Sequence, residues 1–159
     1  ILRINELNKV INGYHIGLDS YLVQKDFIKT FEGDICVILN QRIPELEQEI
    51  IEVGKDLSKY GEKTLFKKKD FDYLKRKYFL LELNFYSILK ELKDCDTKHI
   101  PILFFYKKDD DLNIRQGYVL TELSDYFKDK VIVFSFDIDY EDEPLLNLLK
   151  KKYNISNHL

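Results

Sequence analysis

Ile100-Pro-Ile-Leu-Phe-Phe-Tyr106 is a short, uncharged apolar run. A run of this length and β-favouring composition predicts a buried strand. Downstream, residues 113–128 suit a helix, with Ile114, Val119, Leu120, Leu123 and Phe127 turned inward. Lys130 to Ile138 is a second β-rich run. Asp142 to Tyr153 suits a second helix, with Pro144 in its first turn. The order β-α-β-α predicts parallel strands joined by right-handed crossovers.

Upstream, the period is helical. Three segments place apolar residues at alternating spacings of three and four. The first runs through Ile4, Leu7, Ile11, Tyr14, Leu18 and Tyr21, then Ile28 after a break at Lys25. The second runs through Ile43, Leu46, Ile50, Val53 and Leu57. The third runs through Phe71, Leu74, Tyr78, Leu81, Phe85, Ile88 and Leu92. Such seams mark amphipathic helices packed lengthwise. Gly13 and Gly17 weaken the first. Pro44 starts a helix or kinks one beginning near Asp34. Gly61 fits a helix end, residues 67–69 read as a solvated loop, and Asp70 suits the cap of the third helix. The helix near 70–94 is expected to be the longest. The character of the chain changes between Cys95 and Pro101. The expected organisation is therefore α+β: a helical hairpin or bundle over 1–95 and an α/β part over 96–159.

The composition agrees with a folded globular chain. Of 159 residues, 45% are hydrophobic and 33% charged, which excludes wholesale disorder. The net charge of −3 gives no general attraction to nucleic acid, and none is expected as a partner. No stretch is long and apolar enough to span a bilayer, and nothing reads as a signal peptide. The chain opens on Ile1 rather than Met, so an upstream segment is expected.

The region from Ile100 to Ile155 resembles the thioredoxin-like superfamily. The residues carrying this are Pro101-Ile-Leu-Phe-Phe-Tyr106, Gln116-Gly-Tyr-Val-Leu120, Val131-Ile-Val-Phe-Ser-Phe-Asp-Ile-Asp139, and Leu145 to Tyr153-Asn-Ile155. The resemblance is nearest to membrane-anchored, extracytoplasmic thioredoxin-like proteins of archaea and uncultivated bacteria, which have a helical N-terminal region. It implies an extracytoplasmic setting and leaves room for a membrane anchor upstream of Ile1. Two departures stand out. The family's Cys-x-x-Cys should follow the first strand, but Asp110 and Asn113 occupy the two cysteine positions. Neither forms a thiolate, so thiol exchange is chemically excluded there. The family also continues into a strand opening with a cis-proline. This chain ends at Ser156-Asn-His-Leu159, so either the natural protein is longer or its sheet is completed by other means.

Cys36 and Cys95 match no metal-site spacing. If the second and third helical segments run antiparallel, the ends carrying these cysteines are adjacent. That geometry predicts a disulfide, with two small buried hydrophobes as the alternative. Such a crosslink is worth roughly 4 kcal/mol in the chain-entropy model and implies an oxidising compartment.

Acidic residues follow both strands: Asp109, Asp110 and Asp111 after the first, Asp137, Asp139 and Glu141 after the second. The carboxyl ends of parallel strands are where α/β proteins place functional groups. Asp137-x-Asp139-x-Glu141 has a superficial likeness to a calcium loop, but Asp142 stands where Gly is required and Leu148 where the bidentate Glu is required. Helix capping and solvated charge is the better reading, and no metal or cofactor is expected. His15, His99 and His158 are scattered, no serine sits in a nucleophile motif, and no phosphate loop is present. The short basic runs at 67–69 and 150–152 read as solvated surface. The expected function is a non-catalytic thioredoxin-like binding or scaffold module, with a protein partner or a second copy engaging the helical region. The alternatives are a thiol oxidoreductase whose redox motif is mutated or supplied by Cys36 and Cys95, and a helical assembly protein.

Overall fold

The computed structural model describes residues 18–30, 33–61, 68–95 and 99–156. The chain divides into two compact units, Ile1–Glu52 and Val53–Leu159. The apolar seam positions before Leu18 lie outside the described residues.

In the first unit, residues 18–30 are helical (α1), with no break at Lys25. The second helix, α2, covers Ile35–Gly61 and begins here. Asp34 opens it by accepting the Cys36 N–H at 2.9 Å. Pro44 lies inside α2 rather than at its start. The helix tolerates the missing N–H because residues on both sides of it, Leu39, Ile43 and Leu46, are buried. Arg42 is buried too. Its guanidinium donates to Glu45 at 2.8 Å and to Glu49 at 3.2 and 3.3 Å, and it lies 5.8 Å from the Tyr21 ring.

The second unit holds the end of α2, which stops at Gly61, then α3 (Lys68–Glu91), β1 (Ile100–Tyr106), α4 (Asp111–Phe127), β2 (Val131–Asp137) and α5 (Pro144–Lys152). Helix α3 begins at Lys68, so Asp70 falls within its first turn and Lys68 and Lys69 are helical rather than loop. At 24 residues it is shorter than α2, with 27, because α2 continues through Pro44.

The expected β-α-β-α order with parallel strands is what the protein has. β1 and β2 pair in parallel, from Ile100 opposite Val131 to Tyr106 opposite Asp137. Alternation gives the sheet two faces. Leu103, Phe105, Phe134 and Phe136 share one, which packs on α3. Phe136 stacks beside Phe79 at 6.0 Å between ring centres, and Phe134 meets Phe85 edge-on at 5.4 Å. Phe104, Val133 and Ser135 share the other face, beneath α4. The α4 face toward the sheet is Asn113, Gly117, Leu120 and Ser124, not the expected set. Leu120 is buried and Leu123 half-buried, but Ile114, Val119 and Phe127 are exposed. Two strands give α4 only a narrow surface to cover, and Gly117 sits over the Phe104 ring.

α5 is fixed at both ends. Glu143 caps it by accepting the Leu145 N–H at 3.0 Å, while its other oxygen accepts the Arg76 Nε–H at 2.8 Å. Lys150 is buried rather than solvated. Its ammonium donates to the carbonyls of Ile138 at 3.0 Å and Tyr140 at 2.9 Å, holding the loop after β2.

Candidate functional site

The polar groups of the second unit gather at the carboxyl ends of its two strands. Asp137, the last residue of β2, is buried. Its Oδ2 accepts from Lys75 Nζ at 2.7 Å, and its Oδ1 accepts the Asp139 N–H at 3.0 Å. Lys75 also lies 5.4 Å from the Tyr140 ring centre and 5.8 Å from that of Phe79. Asp137 thus has a hydrogen bond beyond the ion pair, as a buried carboxylate requires, while the half-buried Lys75 ammonium keeps two rings beside it. Burial pushes the Tyr140 hydroxyl up to about 12.

Further along α3, Glu82 is wholly enclosed. Its Oε1 accepts the Ser135 N–H from β2 at 3.2 Å. Its Oε2 lacks a partner at full hydrogen-bond geometry, although the Tyr78 hydroxyl interacts with the carboxyl. Burial pushes the Glu82 acid up to about 8, against the opposing pull of Ser135 and Tyr78. Burial also raises Tyr78 and Tyr106, with the nearby Glu82 charge adding to each. The Ile138 N–H donates to the Tyr106 carbonyl, so even-numbered N–H groups of β2 point to β1 and odd-numbered ones point away. Glu82 therefore satisfies a group on the outer edge of β2, where a third strand would otherwise bond.

Asp110 and Asn113 stand at the start of α4. Asp110 is its N-cap, accepting the N–H groups of Leu112 at 2.9 Å and Asn113 at 3.0 Å. Those bonds, Asn113's first, hold the Asp110 carboxyl below the usual carboxylate range. Asp109 precedes it in the left-handed region at φ 61°, which Asp tolerates better than most residues. Asp111 and Asp139 are exposed, and the Glu141 carbonyl accepts from Asn147 Nδ2 at 2.9 Å. Among the described residues no three His, Cys, Asp or Glu side chains converge to hold a metal ion. No cysteine is a free thiol, and Cys36 and Cys95 are both in disulfide form.

On the α3 face of the sheet lies a groove of about 440 Å³ lined by Tyr86, Lys90, Pro101, Leu103, Phe105, Tyr153 and Ile155. The Tyr86 and Tyr153 hydroxyls are hydrogen-bonded, and Lys90 lies 5.3 Å from the Tyr86 ring centre. A smaller cavity of about 230 Å³ lies under α4, beside Phe104 and Ser135.

Sequence reasoning placed Tyr78 in the apolar seam of the third helix but missed Lys75 and Glu82. Periodicity treats a charge on an amphipathic helix as solvent-facing. The available signal was Glu82 set within Phe79-Leu-Leu-Glu-Leu83, where few neighbours offer it water. No family model, curated protein or solved structure matches the chain. Among the described residues no helix is long and apolar enough to cross a membrane.

Proposed function

We propose that this protein is a non-catalytic binding or scaffold module of thioredoxin-like kind, working outside the cytoplasm. The observation that carries this reading is the Asp110 carboxylate at the N-terminus of α4, bonded to the Leu112 and Asn113 N–H groups. A redox thiolate would need that position and those donors. Asp110 keeps the negative charge and lacks the sulfur. The disulfide form of both cysteines fits an oxidising compartment and disfavours an enzyme working through Cys36 or Cys95.

The pairing we infer is Cys36 with Cys95 within one chain. Alkylation under native, non-reducing conditions should label neither residue, and non-reducing mass analysis should return a monomer. A reactive thiol at either position would favour the oxidoreductase reading instead. A covalent dimer would favour the helical assembly reading.

A further inference from the structure

We propose that Asn154, within the triplet Asn154-Ile155-Ser156, is the acceptor for an N-linked glycan. The inference goes beyond the binding-module reading and rests on its extracytoplasmic part, since such glycans are attached outside the cytosol.

The triplet is the only Asn-x-Ser/Thr in the sequence, and its middle residue is not proline. Its placement suits an acceptor. The triplet directly follows the end of α5, with Asn154 and Ser156 exposed. Ile155 between them is half-buried and lines the groove beside Tyr153. Ile155 thus holds the segment to the surface and leaves the two recognised residues in solvent. Among the described residues neither the Asn154 side-chain amide nor the Ser156 hydroxyl has a hydrogen-bond partner. Asn147 by contrast spends its amide on the Glu141 carbonyl, and Ser124 spends its hydroxyl on the Val131 carbonyl.

The local backbone accounts for part of Asn154 but not for its side chain. Its φ is 53°, its N–H donates to the Lys151 carbonyl at 3.2 Å, and the Ile155 N–H donates to the Lys150 carbonyl at 2.9 Å. That pair of bonds closes a helix end, where Gly is the usual residue and Asn an occasional one. Gly would serve the cap as well, so the cap has no use for the amide. Ser156 lies beyond both bonds and takes no part in them. Presenting the triplet to a transferase opens these two bonds and the Ile155 contact, all outside the β ladder, which is a local event. In the transfer itself, Asn154 Nδ2 attacks the anomeric carbon of an oligosaccharide carried on a polyprenyl diphosphate. A C–N bond forms, the C–O bond to phosphate breaks, and the phosphate leaves with that electron pair. Nδ2 gives up one proton, and nothing is oxidised or reduced.

The test is expression of the full chain behind a cleavable secretion leader in a eukaryotic secretory host. The protein recovered from that pathway is weighed before and after peptide-N-glycosidase, which converts the carrier asparagine to aspartate. A glycan mass that the glycosidase removes is expected, with the converted residue at position 154 in the peptide map. Asn154→Gly keeps the left-handed cap and removes the amide. Ser156→Ala removes only the hydroxyl, and Ser156→Thr restores one. The first two variants should lose the glycan while keeping the circular dichroism of the natural chain, and Ser156→Thr should retain it. A natural chain without glycan, a glycan that persists in Asn154→Gly or Ser156→Ala, or its loss from Ser156→Thr would each overturn the proposal. The leader supplies the compartment, so a missing glycan counts against Asn154 and not against the extracytoplasmic reading, which the cysteine alkylation addresses separately.

Discussion

Raising the pH from 5 to 8 should destabilise the protein, and Glu82→Gln should remove a large part of that loss. The Glu82 acid is pushed up to about 8 in the folded protein, from an ordinary 4.5. Between those values the native chain binds more protons than the unfolded chain, so stability falls as pH rises. The contribution is fully present below about 4.5 and is lost as pH climbs toward 8. Its slope approaches on the order of 1 kcal/mol per pH unit. Glutamine keeps an oxygen for the Ser135 N–H and cannot ionise. It should unfold much like the natural chain at pH 5 and be the more stable of the two at pH 8. Urea unfolding at both pH values measures this directly. Comparing the two proteins cancels the contributions of groups that both share. Identical pH slopes in both would show that Glu82 is not held protonated by burial.

Phe136→Ala should cost about 3–5 kcal/mol, the range for emptying a fully buried aromatic site. Phe136 is 0% exposed, with Phe79 at 6.0 Å and Phe105 at 5.7 Å between ring centres. It joins the sheet to α3 at the centre of the second unit, so the gap has little freedom to collapse. Phe136→Leu should lose less, because most of the volume remains. Chemical denaturation at fixed pH distinguishes them. An Ala variant within about 1 kcal/mol of the natural chain would mean that α3 does not pack on this face.

The fold was legible where one force governs a segment. Ile100–Tyr106 carries no charge and is rich in β-favouring residues, so a strand was the expected element, although none of its residues is fully buried. Pro144 fits the first turn of α5 because that turn needs no N–H there. Lys75, Glu82 and Lys150 were not legible, because each turns away from solvent, Lys75 halfway and the other two fully, to satisfy backbone or charge on another element. Glu82 answers the Ser135 N–H and Lys150 answers two carbonyls beyond β2. Such partners are set by tertiary contact, and residue spacing carries no record of them. The α4 face was misjudged for a related reason. Its apolar residues are not the ones over the sheet, since a two-stranded sheet needs only Leu120 and small neighbours above it. Asp110 was legible, because an acid followed by a helical pattern is a local cap signal.

The proposed function is most directly tested by insulin disulfide reduction. The unmodified chain should give no turnover above the reductant alone. The double variant Asp110→Cys with Asn113→Cys, assayed beside it, places the thiols where the α4 N–H groups favour a thiolate, and activity gained there alone would support the assigned register. Turnover by the unmodified chain would contradict the non-catalytic reading.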